Sequence, residues 1–274
     1  MQSFKIIFFS LFISIYPNCG MVTLDEQPKT EETVQVHQTQ YLSEKEEKIT
    51  VDSTITVGYL MGQFDPKKHD AFTKVDQKYA SKADFYLRKD TYSAFQKMYE
   101  AAKKGGIELK IISATRSFSH QKRIWEAKWN GSRKIDGNDI SKTIKDPTER
   151  ALKILEYSSM PGTSRHHWGT DIDINALTND YFEKGKGLKE YEWLVKNTPK
   201  YGFCQPYSPK GKDRPNGYNE EKWHWSYIPF AKKLTDQYQL KLTDGSISGF
   251  DGAETAPQIE VIEKYVLGIN TECL

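Results

Sequence analysis

The chain changes its hydrophobic period several times, and each change marks an element. Its clearest alternation is Thr170-Asp171-Ile172-Asp173-Ile174, directly after Gly169, which predicts a half-buried strand. On that reading Ile172 and Ile174 face a core, and Asp171 and Asp173 face the other way. Steps of three and four join Tyr92, Phe95, Met98, Tyr99 and Ala102 into one helical stripe, with Asp90 as its cap and Gly105-Gly106 as its end. Ile107 to Ile112 reads as a buried strand. Gln121 to Trp129 predicts a helix stopped by Asn130-Gly131. Asp146-Pro147 opens another, with Ala151, Leu152, Leu155 and Tyr157 on its buried side. Two more helices are expected, Leu188 to Tyr201 and Ile228 to Leu240. Tyr191, Leu194 and Val195 point inward in the first, and Pro199 ends or kinks it. Asp244-Gly245 is a hairpin signal, and Thr255 to Leu267 reads as a last helix ending at Gly268. The stretches Ser132 to Lys145 and Ser208 to Asn219 are polar and Gly-containing, and are expected to be surface loops.

The N-terminus follows a different pattern. Lys5 precedes the apolar run Ile6 to Ile15, which breaks at Tyr16-Pro17-Asn18-Cys19-Gly20. A positive start, a short apolar core and a break have the form of a signal peptide, and the run is short for a membrane span. Cys19 stands where exported lipoproteins are acylated, although Tyr16-Pro17-Asn18 lacks the usual aliphatic and small residues. Lipid anchoring at Cys19 and plain secretion therefore remain alternatives. From Val22 to about Thr50 the chain is rich in Glu, Gln, Thr and Lys and reads as a solvated tether. The expected organisation is a signal over 1–19, a polar tether over 20–54 and one domain over 55–274, in an exported, periplasmic or cell-envelope protein.

Composition narrows the function classes. With 37% apolar and 13% aromatic residues in 274, the domain can build a core. The formal net charge is +2, and basic residues are interspersed with acidic ones. That argues against nucleic acid as a partner, which would call for basic residues gathered on one element. It leaves a membrane contact only through an N-terminal anchor. Besides Cys19 the cysteines are Cys204 and Cys273. They can pair in an oxidising compartment, and the sequence leaves pairing and free thiols equally open.

The candidate chemistry lies in two segments. The first is Ser164-Arg165-His166-His167-Trp168-Gly169, which runs into the alternating strand. The second is Glu220-Glu221-Lys222-Trp223-His224-Trp225. A catalytic zinc takes three protein ligands, keeps one position open for water, and works beside a carboxylate that accepts the water's proton. His166, Asp173 and His224 can supply the ligands and Glu221 the base. Glu221 and His224 would point to opposite faces of a flat strand, so the chain must bend at Lys222-Trp223. Upstream, Arg116 in Ser113-Ala114-Thr115-Arg116-Ser117 follows the expected strand. Its guanidinium can hold a carboxylate through two parallel hydrogen bonds; a surface Arg in a loop is the other reading.

Ser164-x-His166-x-x-Gly169-x-x-x-Asp173 followed by Glu221-x-Trp223-His224 resembles the zinc D-alanyl-D-alanine carboxypeptidase family. This is the VanY-like branch of the lysostaphin/D-Ala-D-Ala-peptidase/hedgehog group. The segment Arg116-Ser117 to Gln121 resembles another element of that family, and the likeness covers roughly Gly58 to Ala231. The resemblance implies an α+β fold, a small and mainly antiparallel sheet with flanking helices. It implies Zn2+ as cofactor, a peptidoglycan stem peptide as substrate, and loss of that peptide's terminal D-alanine. It selects His166 over His167 and Glu221 over Glu220, and it assigns Arg116, Gln121 and Ser164 to substrate binding. Asp171 departs from the pattern, which has a small apolar residue there; it either accepts a hydrogen bond from a ligand histidine or is partly solvated. Two other functions compete: a peptidoglycan endopeptidase with the same zinc site and an open groove, and a non-catalytic cell-wall-binding domain with a residual site.

Overall fold

The computed structural model describes residues 50–274. The expected signal sequence, Cys19 and the tether up to residue 49 lie outside the described residues. At the start of the described residues, the Thr50 carbonyl accepts from Gln237 Nε2 at 2.8 Å. Asp52 pairs with Lys233 at 2.6 Å.

A four-stranded antiparallel sheet positions the chemistry. Strands β1 (Phe72–Lys74) and β2 (Tyr86–Arg88) form a separate two-stranded ribbon. Then β3 (Ile111–Ser113), β4 (Asp171–Ile174), β5 (Phe203–Cys204) and β6 (His224–Tyr227) make the main sheet in the order β3-β4-β6-β5. Its register is set by what each face buries. Asp171 pairs with Ser226, Ile172 with Trp225, and Asp173 with His224. One face therefore carries Ile172, Ile174 and Trp225, which join a core with Phe95, Met98, Ile111, Leu194 and Phe203. The other face carries Asp171, Asp173, His224 and Ser226. A slip of one residue would drive Asp173 into that apolar core, where an unpaired charge costs several kcal/mol.

Helices cover the sheet. They are α1 (Val57–Leu60), α2 (Lys89–Lys104), α3 (Phe118–Trp129), α4 (Ile140–Thr143), α5 (Pro147–Ile154), α6 (Gly185–Asn197), α7 (Ile228–Lys241) and α8 (Ala256–Ile259). The apolar stripe of α2 and Leu194 of α6 lie in the core behind β4 and β6. A second core gathers Trp125, Ile154, Leu155, Trp168, Leu234 and Tyr238 with the C-terminal segment. Every residue from Met160 to Ile174 is buried, so the first candidate segment runs through the interior. Gly169 lets it turn: its φ is +73°, and a Cβ there would meet the Phe72 ring at 2.3 Å, so only glycine fits.

Several local expectations are corrected. Helix α2 begins at Lys89 with Arg88 at its N-cap. Asp90 instead sits in the first turn, paired with Arg88 at 3.2 Å, where a negative charge favours the helix dipole. The strand expected from Ile107 shortens to β3, because the Asn175 side chain, not a strand, accepts from Lys110 N at 2.7 Å. Leu152, Tyr157 and Val195 are exposed; Ile154 and Leu194 take the inward positions. The excursion from Ser132 to Lys145 contains α4. Asp244-Gly245 forms a 3-10 turn closed by a Thr243–Ser246 capping box, not a hairpin, and Asp244 Oδ1 accepts from Ile262 N at 2.8 Å. The expected last helix breaks at Glu260, whose φ is +56°, and resumes as a π-turn over Ile262–Val266.

Cys204 and Cys273 form a disulfide, 69 residues apart in sequence, which ties β5 to the C-terminus. Closing a loop of that length contributes about 4 kcal/mol in the chain-entropy account. The double variant Cys204→Ser/Cys273→Ser is expected to lose stability of that order in urea denaturation. Reductant should destabilise the native protein and leave the variant unchanged.

Candidate metal centre

Three segments converge on the polar face of the sheet. A 3-10 turn over Arg165–Trp168 presents His166. Strand β4 presents Asp173, and β6 opens with His224 directly opposite. The chain turns at Lys222-Trp223, where His224 N donates to Glu221 O at 3.3 Å. That turn brings Glu221 onto the same side as His224, as the sequence required.

His166, Asp173 and His224 each direct one ligand atom to a common point, all within 4.8 Å of one another. His166 Nδ1 is 2.9 Å from Ala114 O, which assigns the ring proton to Nδ1 and turns Nε2 toward Asp173 Oδ2, 3.3 Å away. His224 Nδ1 is 3.2 Å from Asp173 Oδ1 and 3.3 Å from Glu221 Oε2. His166 Nε2 and Asp173 Oδ1 are buried without a hydrogen-bond partner. Orphaned acceptors in a buried cluster are costly unless something else satisfies them, and two imidazoles with a carboxylate are a donor set suited to a transition-metal cation. The residues present fit a metal.

The electrostatics point the same way. Burial, with Arg116 nearby, lowers His166 to about 4, so it is a neutral donor at ordinary pH. Burial works against ionising Asp173, yet His166 and His224 hold it well below the usual carboxylate range. Burial would lower His224, but the carboxylates of Asp171, Asp173 and Glu221 around its ring push it well above the ordinary histidine value. A cation bound there takes the place of that proton. Glu221 is raised by burial, against the pull of His224.

The other expected site residues are close by. Arg116 follows β3, and its backbone is pinned by both histidines: its N–H donates to His166 O at 3.1 Å, and its carbonyl accepts from His167 Nδ1 at 2.6 Å. Its guanidinium lies 3.7 Å from Asp173 Oδ2 and donates to Gln121 Oε1 at 3.0 Å. Gln121 is buried, anchored in turn on Ser159 O at 2.8 Å, so it orients Arg116. Ser164 is buried, and its carbonyl accepts from His167 N. His167 points away from the cluster and packs: its Nε2 accepts from Gly162 N at 3.1 Å. Trp223 and Trp225 are buried, and Glu220 is half-buried. Asp171 is fully buried, not solvated, with His224 Nε2 2.9 Å away.

Three contributors escape sequence reasoning. Tyr207 packs its ring 4.6 Å from that of His224, and its carbonyl accepts from Glu221 N at 2.9 Å. Nothing in the polar segment around it signals this. Arg165, buried beside Asp171, looks like an ordinary turn residue in sequence. Lys128 lies two helical turns after Gln121, on the same face of α3, and donates to Ser158 Oγ. A charge placed seven residues after Gln121 was the only available signal.

Burial, together with Arg133, lowers the Lys128 ammonium to about 8, and Glu221 partly offsets this. Below about 8 it is charged both folded and unfolded. Between about 8 and its ordinary 10.5 the unfolded chain holds a proton that the folded one lacks, so stability rises with pH. Relative to Lys128→Met, the native protein should gain about 2 kcal/mol between pH 7.5 and 9.5. Urea titrations at the two pH values measure the difference.

A family description, "VanY: D-alanyl-D-alanine carboxypeptidase", matches residues 84–230. The Bacillus subtilis (strain 168) "Putative carboxypeptidase YodJ" is 34% identical over 162 residues, 58% of this chain and 53% of that protein. The D-alanyl-D-alanine carboxypeptidase of Enterococcus faecalis (strain ATCC 700802 / V583) is 30% identical over 133 residues, 48% of this chain and 45% of that one. The chain spans about half the length of these curated relatives. A mutant of the vancomycin-resistance D,D-pentapeptidase VanY, solved in complex with Zn(II), is 25% identical, with a TM-score of 0.43. That match covers 58% of this chain and 83% of the VanY chain. The matched stretch 84–230 takes in more than half of the chain, with Arg116, the buried turn and both converging strands inside it, and the protein belongs to the VanY family of D-alanyl-D-alanine carboxypeptidases.

Proposed function

We propose that this protein is a zinc-dependent carboxypeptidase that removes the terminal D-alanine from peptidoglycan stem peptides at the cell envelope. One observation carries the reading. His166, Asp173 and His224 converge within 4.8 Å in a member of this family, with the Glu221 carboxylate 3.3 Å from His224.

Zinc held by these three side chains would supply a Lewis acid for the scissile carbonyl and would acidify water toward neutrality. The chain's own groups do the rest. Glu221 takes the proton of the attacking water and returns it to the departing D-alanine amine. A carboxylate raised by burial is a better base near neutral pH than an ordinary one. Arg116, set by Gln121, holds the substrate's terminal carboxylate and helps to balance negative charge that develops beside it. Ser164, two residues before His166, is assigned to the substrate by the family resemblance. Tyr207 keeps the ring of His224 and the backbone of Glu221 in place.

Arg116→Met tests the carboxylate assignment. It should raise KM about 10- to 100-fold for peptides with a free C-terminus, the worth of a charge-assisted hydrogen bond. It should have little effect on amidated analogues. Equal losses on both would make Arg116 a structural residue.

The reaction itself is tested by incubating the protein with stem tetra- and pentapeptides, with and without a chelator, and weighing the products. Loss of a single terminal alanine, abolished by the chelator, is expected. An internal cut would replace this reading with the endopeptidase. No cut by zinc-loaded protein would replace it with a binding domain.

A further inference from the structure

Behind His224, away from Glu221 and Asp173, the ring meets a second carboxylate. His224 Nε2 donates to Asp171 Oδ2 at 2.9 Å. Asp171 is held on every side. Arg165 Nε donates to the same oxygen at 3.2 Å. Ser226 Oγ and Thr170 Oγ1 donate to Oδ1 at 2.8 and 2.7 Å. Arg165 uses its other two nitrogens on Thr235 Oγ1 at 3.0 Å and Ser226 Oγ at 2.9 Å, and its guanidinium lies over the Trp168 ring at 4.7 Å. Arg165, Asp171, Ser226 and Thr235 are each at most 2% exposed.

Burying such a pair is expensive, and an apolar pair of similar volume is often as stable or more so. Stability alone therefore does not account for Arg165 and Asp171. The contact of Asp171, held by Arg165, with His224 does. We propose that Asp171, backed by Arg165, is a positioning residue for metal binding. By accepting Nε2–H it reserves Nδ1 for the cation, fixes the ring plane, and makes Nδ1 a stronger donor. His166 is oriented in the same way, but by a neutral partner, the Ala114 carbonyl. The carboxylate behind His224 makes that ligand the stronger of the two histidines. Asp171 and Asp173 thus share one strand face and divide the work: Asp173 faces the metal point and Asp171 braces a ligand from behind. This inference rests on the metal-site reading above.

Zinc affinity by chelator competition tests it, with the absorption spectrum of the cobalt-substituted protein as a second readout. Asp171→Asn and the double variant Arg165→Leu/Asp171→Ala should each bind zinc about 10- to 100-fold more weakly than the native protein. Both should shift the cobalt bands. The double variant leaves no unpaired buried charge, so it keeps the test open if Asp171→Asn does not fold. Thr235→Val removes a hydrogen bond of the network without touching His224; it should lose stability and keep native zinc affinity. A folded double variant with native zinc affinity would overturn the proposal. So would Thr235→Val losing as much affinity as the double variant, since the effect would then be one of general packing. If the native protein takes up no zinc or cobalt at all, the metal-site reading itself fails.

Discussion

Glu221→Gln is expected to leave the protein folded and able to bind metal while lowering turnover of a stem pentapeptide by about 10²–10⁴-fold. The backbone at 221 is fixed independently of its side chain. Its N–H donates to Tyr207 O, and its carbonyl accepts from Gln205 Nε2 at 3.2 Å. Glutamine has the same shape, so the residue should stay where it is. What changes is proton affinity: an amide cannot take the proton of the attacking water. The loss corresponds to about 3–5 kcal/mol of barrier and should fall on kcat, with KM little changed. A variant within a few-fold of native turnover would show that the proton goes elsewhere; Glu220, half-buried next door, would be the residue to replace next.

Removing any one of the three converging side chains should have an effect at least as large. His166→Ala, Asp173→Ala and His224→Ala are each expected to lose both bound metal after dialysis and activity down to background. Each contributes one of only three protein donors, so its loss should exceed the about 10- to 100-fold cost of losing an outer partner. His224→Ala also strips Asp171 and Asp173 of their shared neighbour and should destabilise the fold. His167→Gln is the control. That ring faces Gly162 and Arg116 O, so the variant should retain metal. Metal content by mass spectrometry reads all four, and a His166→Ala protein that kept stoichiometric metal would contradict the assignment.

The parts of the fold that could be read in the sequence are those set by short-range physics. The alternation over 170–174 announced β4 and which side its carboxylates take, because a strand's period is fixed, but the strand expected to be half-buried is buried on both faces. The need for a bend between Glu221 and His224 followed from the same geometry. Helix α7 with Pro229 at its start and α5 with its Asp146 cap were equally local. What could not be read depends on distant partners. Glu260 breaks the last helix, and just beyond it Ile262 N donates to the carboxylate of Asp244, far back in the chain. Asp244-Gly245 lost its hairpin to a turn whose Asp244 carboxylate is taken by the distant Ile262 N–H.

The site divides in the same way. His166, Asp173, Glu221 and His224 lie in two short segments whose residue types suggest chemistry by themselves. The brace behind them joins residues 165, 171 and 226, two of which look like ordinary turn or strand positions. Asp171 was visible as a departure from the family pattern, but its role depends on an arginine that only folding brings to it. Gln121 is assigned to the substrate by resemblance; the structure places its amide between Arg116 and the Ser159 carbonyl.

One cation should sit among His166, Asp173 and His224. Crystals grown with zinc, with diffraction recorded on both sides of its absorption edge, test this directly. One strong anomalous peak is expected within bonding distance of His166 Nε2, His224 Nδ1 and an Asp173 carboxylate oxygen. An empty cluster at saturating zinc, or a peak held by other residues, would contradict it.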